Sequence, residues 1–291
     1  MSTPSKLLTL AAAAGLLAAA ATSAPATAAP ASKQARAAYA PADTAKIHPG
    51  VQMYTQGAQC TANFVFTDSA GTTYVGYAAH CAGTGAATDT NGCDAGSLPL
   101  GTEVDFVEGG SLIGEGTRVG GGTLVYSSWL AMQKNGETDE NTCAYNDLAL
   151  VKVDAADAAK VNPSVPFWGG PVAVNTAGTA AGETVYSFGN SSLRGGVEQL
   201  SPKQGISLGT EGEGWSHPVY TLTPGVPGDS GSAFLDAEGN AVGTLSTLAL
   251  APLAGSNGVG DLAHELSYAQ ASSGIAGLRL VPGTEPFSPI L

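Results

Sequence analysis

Between Val51 and Val153, and again between Thr184 and Thr247, the chain is cut into short runs rich in Val, Thr, Tyr and Phe, bounded by Gly, Asn, Asp or Ser. The first stretch holds Thr61–Thr67, Thr72–Ala79, Thr102–Val107, Gly122–Ser127 and Leu148–Val153. The second holds Thr184–Phe188, Gly205–Leu208, Val219–Leu222, Ser232–Leu235 and Ala241–Thr247, with Glu238-Gly239-Asn240 as a hairpin turn. β-Branched and aromatic residues suit a pleated, half-buried surface, so these runs are expected to be strands. The first stretch has no convincing helical period, and many short strands separated by turns predict a barrel or sandwich. Ala155–Gly170, with Pro163, Pro166 and the Gly169-Gly170-Pro171 break, reads as a crossover between two β halves. Gly258–Ala271 is the clearest helix candidate: Leu262, Leu266 and Ala269 fall at helical spacing, and Asp261 lies in the first turn. Gly277–Val281 reads as a further strand and Glu285–Leu291 as an unstructured end.

Residues 1–28 read as an export signal. Lys6 supplies the positive start, Leu7–Ala21 an apolar stretch, and Ala26-Thr27-Ala28 the small residues before a cut. No later run approaches the roughly 20 apolar residues that span a bilayer. A secreted protein without a membrane anchor is therefore expected. Ala29–Lys46, rich in Ala, Pro and polar residues, reads as a disordered linker or short pro-segment. Only 12% of the residues are charged, yet the net charge is -13, which argues against binding nucleic acid. Four cysteines in an exported chain predict two disulfides among Cys60, Cys81, Cys93 and Cys143, and the residues alone permit three pairings.

Three short motifs carry chemistry. In Pro227-Gly-Asp-Ser-Gly-Ser232 two glycines flank Asp229-Ser230, so the backbone can turn sharply and approach a substrate closely. A serine hydroxyl needs a neighbouring base and amides to receive an oxyanion. Tyr77-Ala-Ala-His-Cys81 offers a histidine at the end of an apolar run, and Asn146-Asp147 opens the strand Leu148–Val153. Over roughly residues 47–281, His80, Asp147 and Ser230, in that order and with those neighbours, resemble the chymotrypsin-type serine endopeptidases. The pattern is nearest the bacterial streptogrisin-type branch, and the chain order separates it from subtilisins and α/β-hydrolases.

The resemblance implies an all-β fold of two six-stranded antiparallel Greek-key barrels, residues 47–155 and 170–284, with a C-terminal helix. It implies that His80 acts as base, Asp147 orients it, Ser230 attacks a peptide carbonyl, and the Gly228 and Ser230 amides hold the oxyanion. Cys60 would then pair with Cys81, leaving Cys93 for Cys143. Asp229 would be buried in an ion pair with a new N-terminus or an arginine. Cleavage at Lys46–Ile47 would give a start resembling that of the mature relatives, whose pro-regions are much longer. The substrate pocket would involve Pro224, where trypsin-like members keep an aspartate, together with Ser246 and Leu248. A small or medium apolar residue before the cut is expected, on protein or peptide substrates, by a monomer needing neither cofactor nor metal.

The remaining candidates have plainer readings. His48, His217 and His264 read as surface or packing residues. Asp105, Glu137, Asp139 and Glu140 lack calcium-loop spacing and read as a charged surface. A catalytically silent homologue acting as an extracellular binding module, or an esterase in the same scaffold, stand as alternatives.

Overall fold

The computed structural model describes residues 39–86, 90–249 and 254–289; the export signal expected at 1–28 lies outside them. The first half contains β1 (Gln52–Thr55), β2 (Ala58–Thr61), β3 (Val65–Thr67), β4 (Thr73–Ala78), β5 (Glu103–Glu108), β6 (Thr117–Ser127) and β7 (Leu148–Val153). These strands are antiparallel and follow the order β3-β4-β7-β6-β5-β1-β2. The run expected as one strand at Thr61–Thr67 bends between β2 and β3. Ala62 N donates to Val51 O at 2.9 Å and Asn63 N to Gly76 O at 2.8 Å, so one bent segment pairs with β1 at its start and β4 at its end. The sheet thereby curls into a ring of six, counting β2 and β3 as one.

The second half is a closed barrel of β8 (Thr184–Phe188), β9 (Pro202–Ser207), β10 (Ser216–Leu222), β11 (Ala233–Leu235), β12 (Ala241–Leu248) and β13 (Asn257–Asp261). Its circular order, β8-β9-β10-β13-β12-β11, repeats that of the first half, so in both the third strand lies against the sixth and the connection to the fourth crosses the barrel. Both halves therefore have the Greek-key order. Apolar side chains of each half point inward: Met53, Val75, Tyr77, Phe106 and Val151 in the first, and Val185, Val219, Phe234 and Val259 in the second.

Among the described residues three α-helices interrupt the strands: α1 (Ser128–Asn135), α2 (Glu140–Tyr145) and α3 (Leu262–Ser272). The first two overturn the expectation of a helix-free first half. Each is a short helix whose signals lie at its ends: Gly136, at a φ of 65°, closes α1, while the Asp139 side chain accepts the Thr142 amide at the start of α2. The helix expected from Gly258 begins only at Leu262, because Asn257–Asp261 pairs with both β10 and β12 and completes the second barrel. A final strand, β14 (Arg279–Leu280), pairs with β3 of the first half, so the chain returns to the first sheet before the end expected for the second barrel.

Of the segment expected as a disordered linker or short pro-segment, 29–38 lies outside the described residues while 39–46 is packed, as are the described residues of the unstructured end expected at Glu285–Leu291. Ala40 N donates to Val161 O at 2.9 Å, Asn162 Nδ2 reaches Ala40 O at 2.7 Å, and Ala45 and Ile47 are buried. At the other end, Ser164 Oγ accepts the Thr284 and Glu285 amides, Ser288 N donates to Trp168 O, and Phe287 meets the Tyr186 ring. Both segments clasp the crossover, whose Trp168 is itself buried with Nε1 on Ser187 O at 2.7 Å. The four cysteines form two bridges, Cys60–Cys81 and Cys93–Cys143.

Candidate active site

Strand register brings His80 and Asp147 together. Ala78 of β4 lies opposite Leu148 of β7, so the residue after one strand's end faces the residue before the other's start. Ala79 N donates to Asp147 O at 2.7 Å and His80 N to Asp147 Oδ1 at 2.8 Å, while His80 Nδ1 lies 2.6 Å from Asp147 Oδ2. His80 stands on a single tight turn, Ala79–Ala82, pinned by the Cys60–Cys81 bridge. From β12 of the other half, Ser246 Oγ donates to Asp147 Oδ2 at 2.6 Å. Asp147 is thus buried beneath three donors, and the imidazole, 27% exposed, faces the cleft between the halves. Burial pulls the His80 pKa down, but the charge and hydrogen bond of Asp147 outweigh it and leave His80 above the ordinary imidazole value.

Ser230 reaches the same cleft from the connection between the third and fourth strands of the second barrel. Its turn needs glycine on both sides. Gly228 has a φ of 94° and Gly231 a φ of 91°, and a Cβ at Gly231 would lie 2.3 Å from Thr61 O. Ser230 O accepts Thr61 N at 2.8 Å and Gly231 N donates to Leu245 O at 2.7 Å, which locks the turn against both halves. Gly228 O is taken by Gln59 Nε2 and Thr61 Oγ1. The amides of Gly228 and Ser230 have no acceptor among the described residues. His80 and Ser230 both line the cleft, of about 590 Å³, without a hydrogen bond between their side chains.

Asp229, between Gly228 and Ser230 in the turn, is fully buried and meets two cations: Arg194 Nη2 at 2.5 Å and Lys203 Nζ at 3.0 Å. Its oxygens also accept the Ser191 and Val226 amides at 3.0 Å. Burial holds the Lys203 amine below its ordinary range against the pull of Asp229, and Arg194 adds repulsion. The sequence named Arg or a new N-terminus as the partner of Asp229; Lys203, buried in β9, was missed. Nothing local distinguishes Lys203 from a solvated lysine, since only the barrel's closure buries it.

Of the residues expected in the pocket, Ser246 and Leu248 line the cleft. Pro224 does not: its carbonyl accepts Lys203 Nζ at 3.2 Å, and Gly225 and Val226 take its place on the wall. Asn257 ties the inner end together, with Oδ1 on Gly225 N at 2.8 Å and Nδ2 on Thr247 O at 3.1 Å. Glu265 of α3, also missed, accepts the Asp147 amide at 3.0 Å. His217 is a buried packing residue, Nε2 to Asp261 Oδ2 at 2.9 Å, and His264 lies against Trp215. Asp105 pairs with Arg118, and Glu137 and Asp139 accept nearby amides, so these acids serve local structure.

No protein-family model and no curated protein sequence matches the chain. Solved structures similar to it include Thermobifida fusca Protease A, at 17% identity over 81% of this chain and 99% of that one, with a TM-score of 0.49. Cellulomonas bogoriensis chymotrypsin is 18% identical over 81% and 98% of the two chains, with a TM-score of 0.46. A glutamic acid specific serine protease, described as using a histidine triad in substrate binding, is 18% identical over 81% and 100%, with a TM-score of 0.45.

Proposed function

We propose that this chain is a secreted serine endopeptidase working through His80, Asp147 and Ser230. The observation that carries the reading is the 2.6 Å contact of His80 Nδ1 with buried Asp147 Oδ2, which leaves Nε2 for the cleft that Ser230 also lines. In the reaction, Ser230 Oγ attacks the carbonyl carbon of a peptide while His80 takes its proton. The carbonyl oxygen becomes an oxyanion received by the Gly228 and Ser230 amides. As the C–N bond breaks, His80 passes its proton to the departing amine. Water, deprotonated by His80, then cleaves the acyl-serine ester, releases the acid and restores the hydroxyl. Asp147 holds the tautomer and stabilises the imidazolium without itself taking the proton.

The cleft supports a small or medium apolar residue before the cut. Val226, Leu245 and Leu248 line it, and Asn257 spends its carboxamide on the two walls. The mature protein is read as a monomer, a domain of residues 47–284 exported by the segment 1–28. Among the described residues no helix is long and apolar enough to cross a membrane. The decisive experiment is casein and peptide hydrolysis by the purified protein beside Ser230→Ala. Loss of roughly a million-fold in turnover is expected, with phosphonate labelling abolished. Equal rates for the two proteins would end the proposal.

A further inference from the structure

A carboxyl group stands behind Asp147 that acyl transfer does not use. Glu265, in the first turn of α3, is fully buried. Its Oε1 accepts the Asp147 amide at 3.0 Å, and Thr244 Oγ1 of β12 donates to its Oε2 at 2.9 Å. Thr244 Oγ1 in turn accepts Asn63 Nδ2 at 3.1 Å, and Asn63 Oδ1 accepts the Phe64 amide at 2.5 Å. Segments of both halves therefore converge on one side chain. Gly260 leaves room for it, since a Cβ there would lie 2.6 Å from Glu265 Oε1.

Asp147 sits one residue before β7, so its backbone has to be held from outside the strand. Its carbonyl is held by Ala79 N at 2.7 Å, and its amide by Glu265. A buried amide requires an acceptor, and one left unmatched turns toward another. Such a turn would carry the Asp147 carboxylate away from His80 N and Nδ1, now 2.8 and 2.6 Å from its oxygens.

We propose that Glu265 is a positioning residue for the triad, fixing the Asp147 backbone and tying it across the junction to Thr244 and Asn63. The proposal rests on the endopeptidase reading above. Burial first, and then the adjacent Asp147 charge, push the Glu265 pKa well up, which favours the uncharged acid. Asp261, at the head of α3 with His217 and His264 on its oxygens, acts in the same direction, and Tyr126 faces it from β6. A proton on Oε2 would turn the Thr244 bond round, since that hydroxyl can accept as well as donate.

Glutamine reproduces this arrangement and leucine does not. The test is kcat and KM, per phosphonate-titrated site, for the wild-type chain, Glu265→Gln, Glu265→Leu and Thr244→Val across pH, with thermal unfolding of each. We expect Glu265→Leu to lower kcat by about ten- to a hundred-fold with KM within about two-fold, and Glu265→Gln to keep the wild-type rate. In Glu265→Gln the acid limb of kcat/KM stays in place. The neutral acid also contributes stability that is present in full below the ordinary value of 4.5 and lost as pH rises through its raised folded value, a loss Glu265→Gln removes. Wild-type rates in Glu265→Leu overturn the proposal. So does a fall of more than about half a pH unit in the acid limb of Glu265→Gln, which would mean that an anion had been removed. Should Glu265→Leu not fold, Thr244→Val and the glutamine profile decide, with a reduced kcat at unchanged KM in Thr244→Val supporting the role. A wild-type chain that neither cleaves peptides nor takes the phosphonate refutes the endopeptidase reading itself, a result distinct from an active enzyme indifferent to residue 265.

Discussion

Ser246 Oγ donates to Asp147 Oδ2 at 2.6 Å, so the second barrel completes the shell of a carboxylate that the first barrel supplies. The same Oδ2 faces His80 Nδ1. A donor there disperses charge that would otherwise stabilise the imidazolium. Ser246→Ala should therefore raise the acid limb of kcat/KM, since a less dispersed Asp147 charge favours protonated His80. The pH profile of purified protein checks it, and a limb that moves down would contradict the assignment.

As the proposed base, His80 should set where that limb lies in the wild-type chain. Its pKa is raised above 6.5, and catalysis needs the neutral ring, so activity should rise with pH through a midpoint above 6.5. Stability runs the other way. Protonated His80 gains more from Asp147 in the folded state, so its contribution is complete below 6.5 and is lost as pH rises through the folded value. Unfolding midpoints of wild type and His80→Ala, compared at pH 5.5 and 9, should differ more at the lower pH.

Asp229 shares two cations, and the consequences of removing each partner are unequal. Lys203→Met leaves the Arg194 pair, and Arg194→Met leaves the Lys203 pair. Asp229→Asn leaves buried Lys203 and part-buried Arg194 facing a neutral amide, and should cost roughly 3–5 kcal/mol, more than either single loss. Urea unfolding of the three variants tests this order, and a mild Asp229→Asn would refute it.

Arg194 and Lys203 also bear on activation. With both on Asp229, the Gly228–Ser230 turn needs no new amino terminus to hold it, and Tyr39–Lys46 is already packed on the crossover. A chain beginning at Tyr39 should turn over substrate within about two-fold of one cut at Lys46–Ile47. N-terminal sequencing with active-site titration of both forms measures it.

Leu248 is 39% exposed and lines the cleft. Leu248→Gly should extend cleavage from small and medium apolar residues to large aromatic ones, by about ten-fold or more in kcat/KM. A peptide library profile reports the change, and cleavage mainly after Lys or Arg in the wild type would discard the pocket assignment.

The motifs around His80, Asp147 and Ser230 were legible because each is local: an apolar run ending in histidine, an acid opening a strand, a serine between glycines. The strand texture was legible for the same reason. Helices α1 and α2 were not, since eight and six residues offer too little period to read. Gly258–Asp261 misled because an acid just ahead of the Leu262 stripe reads as a first-turn residue, while pairing with β10 and β12 makes the segment a strand and leaves Asp261 as the cap of α3.

Pro224 shows the limit most plainly. Counting back from Ser230 put it on the pocket wall, yet its carbonyl faces Lys203, a residue 21 positions away in the chain. The sequence by itself determined the all-β character, the three motif residues and the supply of cysteines, all set by neighbours along the chain. Tertiary structure alone decided that Lys203 joins Arg194 on Asp229, that Glu265 supports Asp147, and that both chain ends clasp the crossover. The reason is physical: a charge or amide becomes costly only once burial removes its water, and which group replaces that water depends on segments that meet when the barrels close.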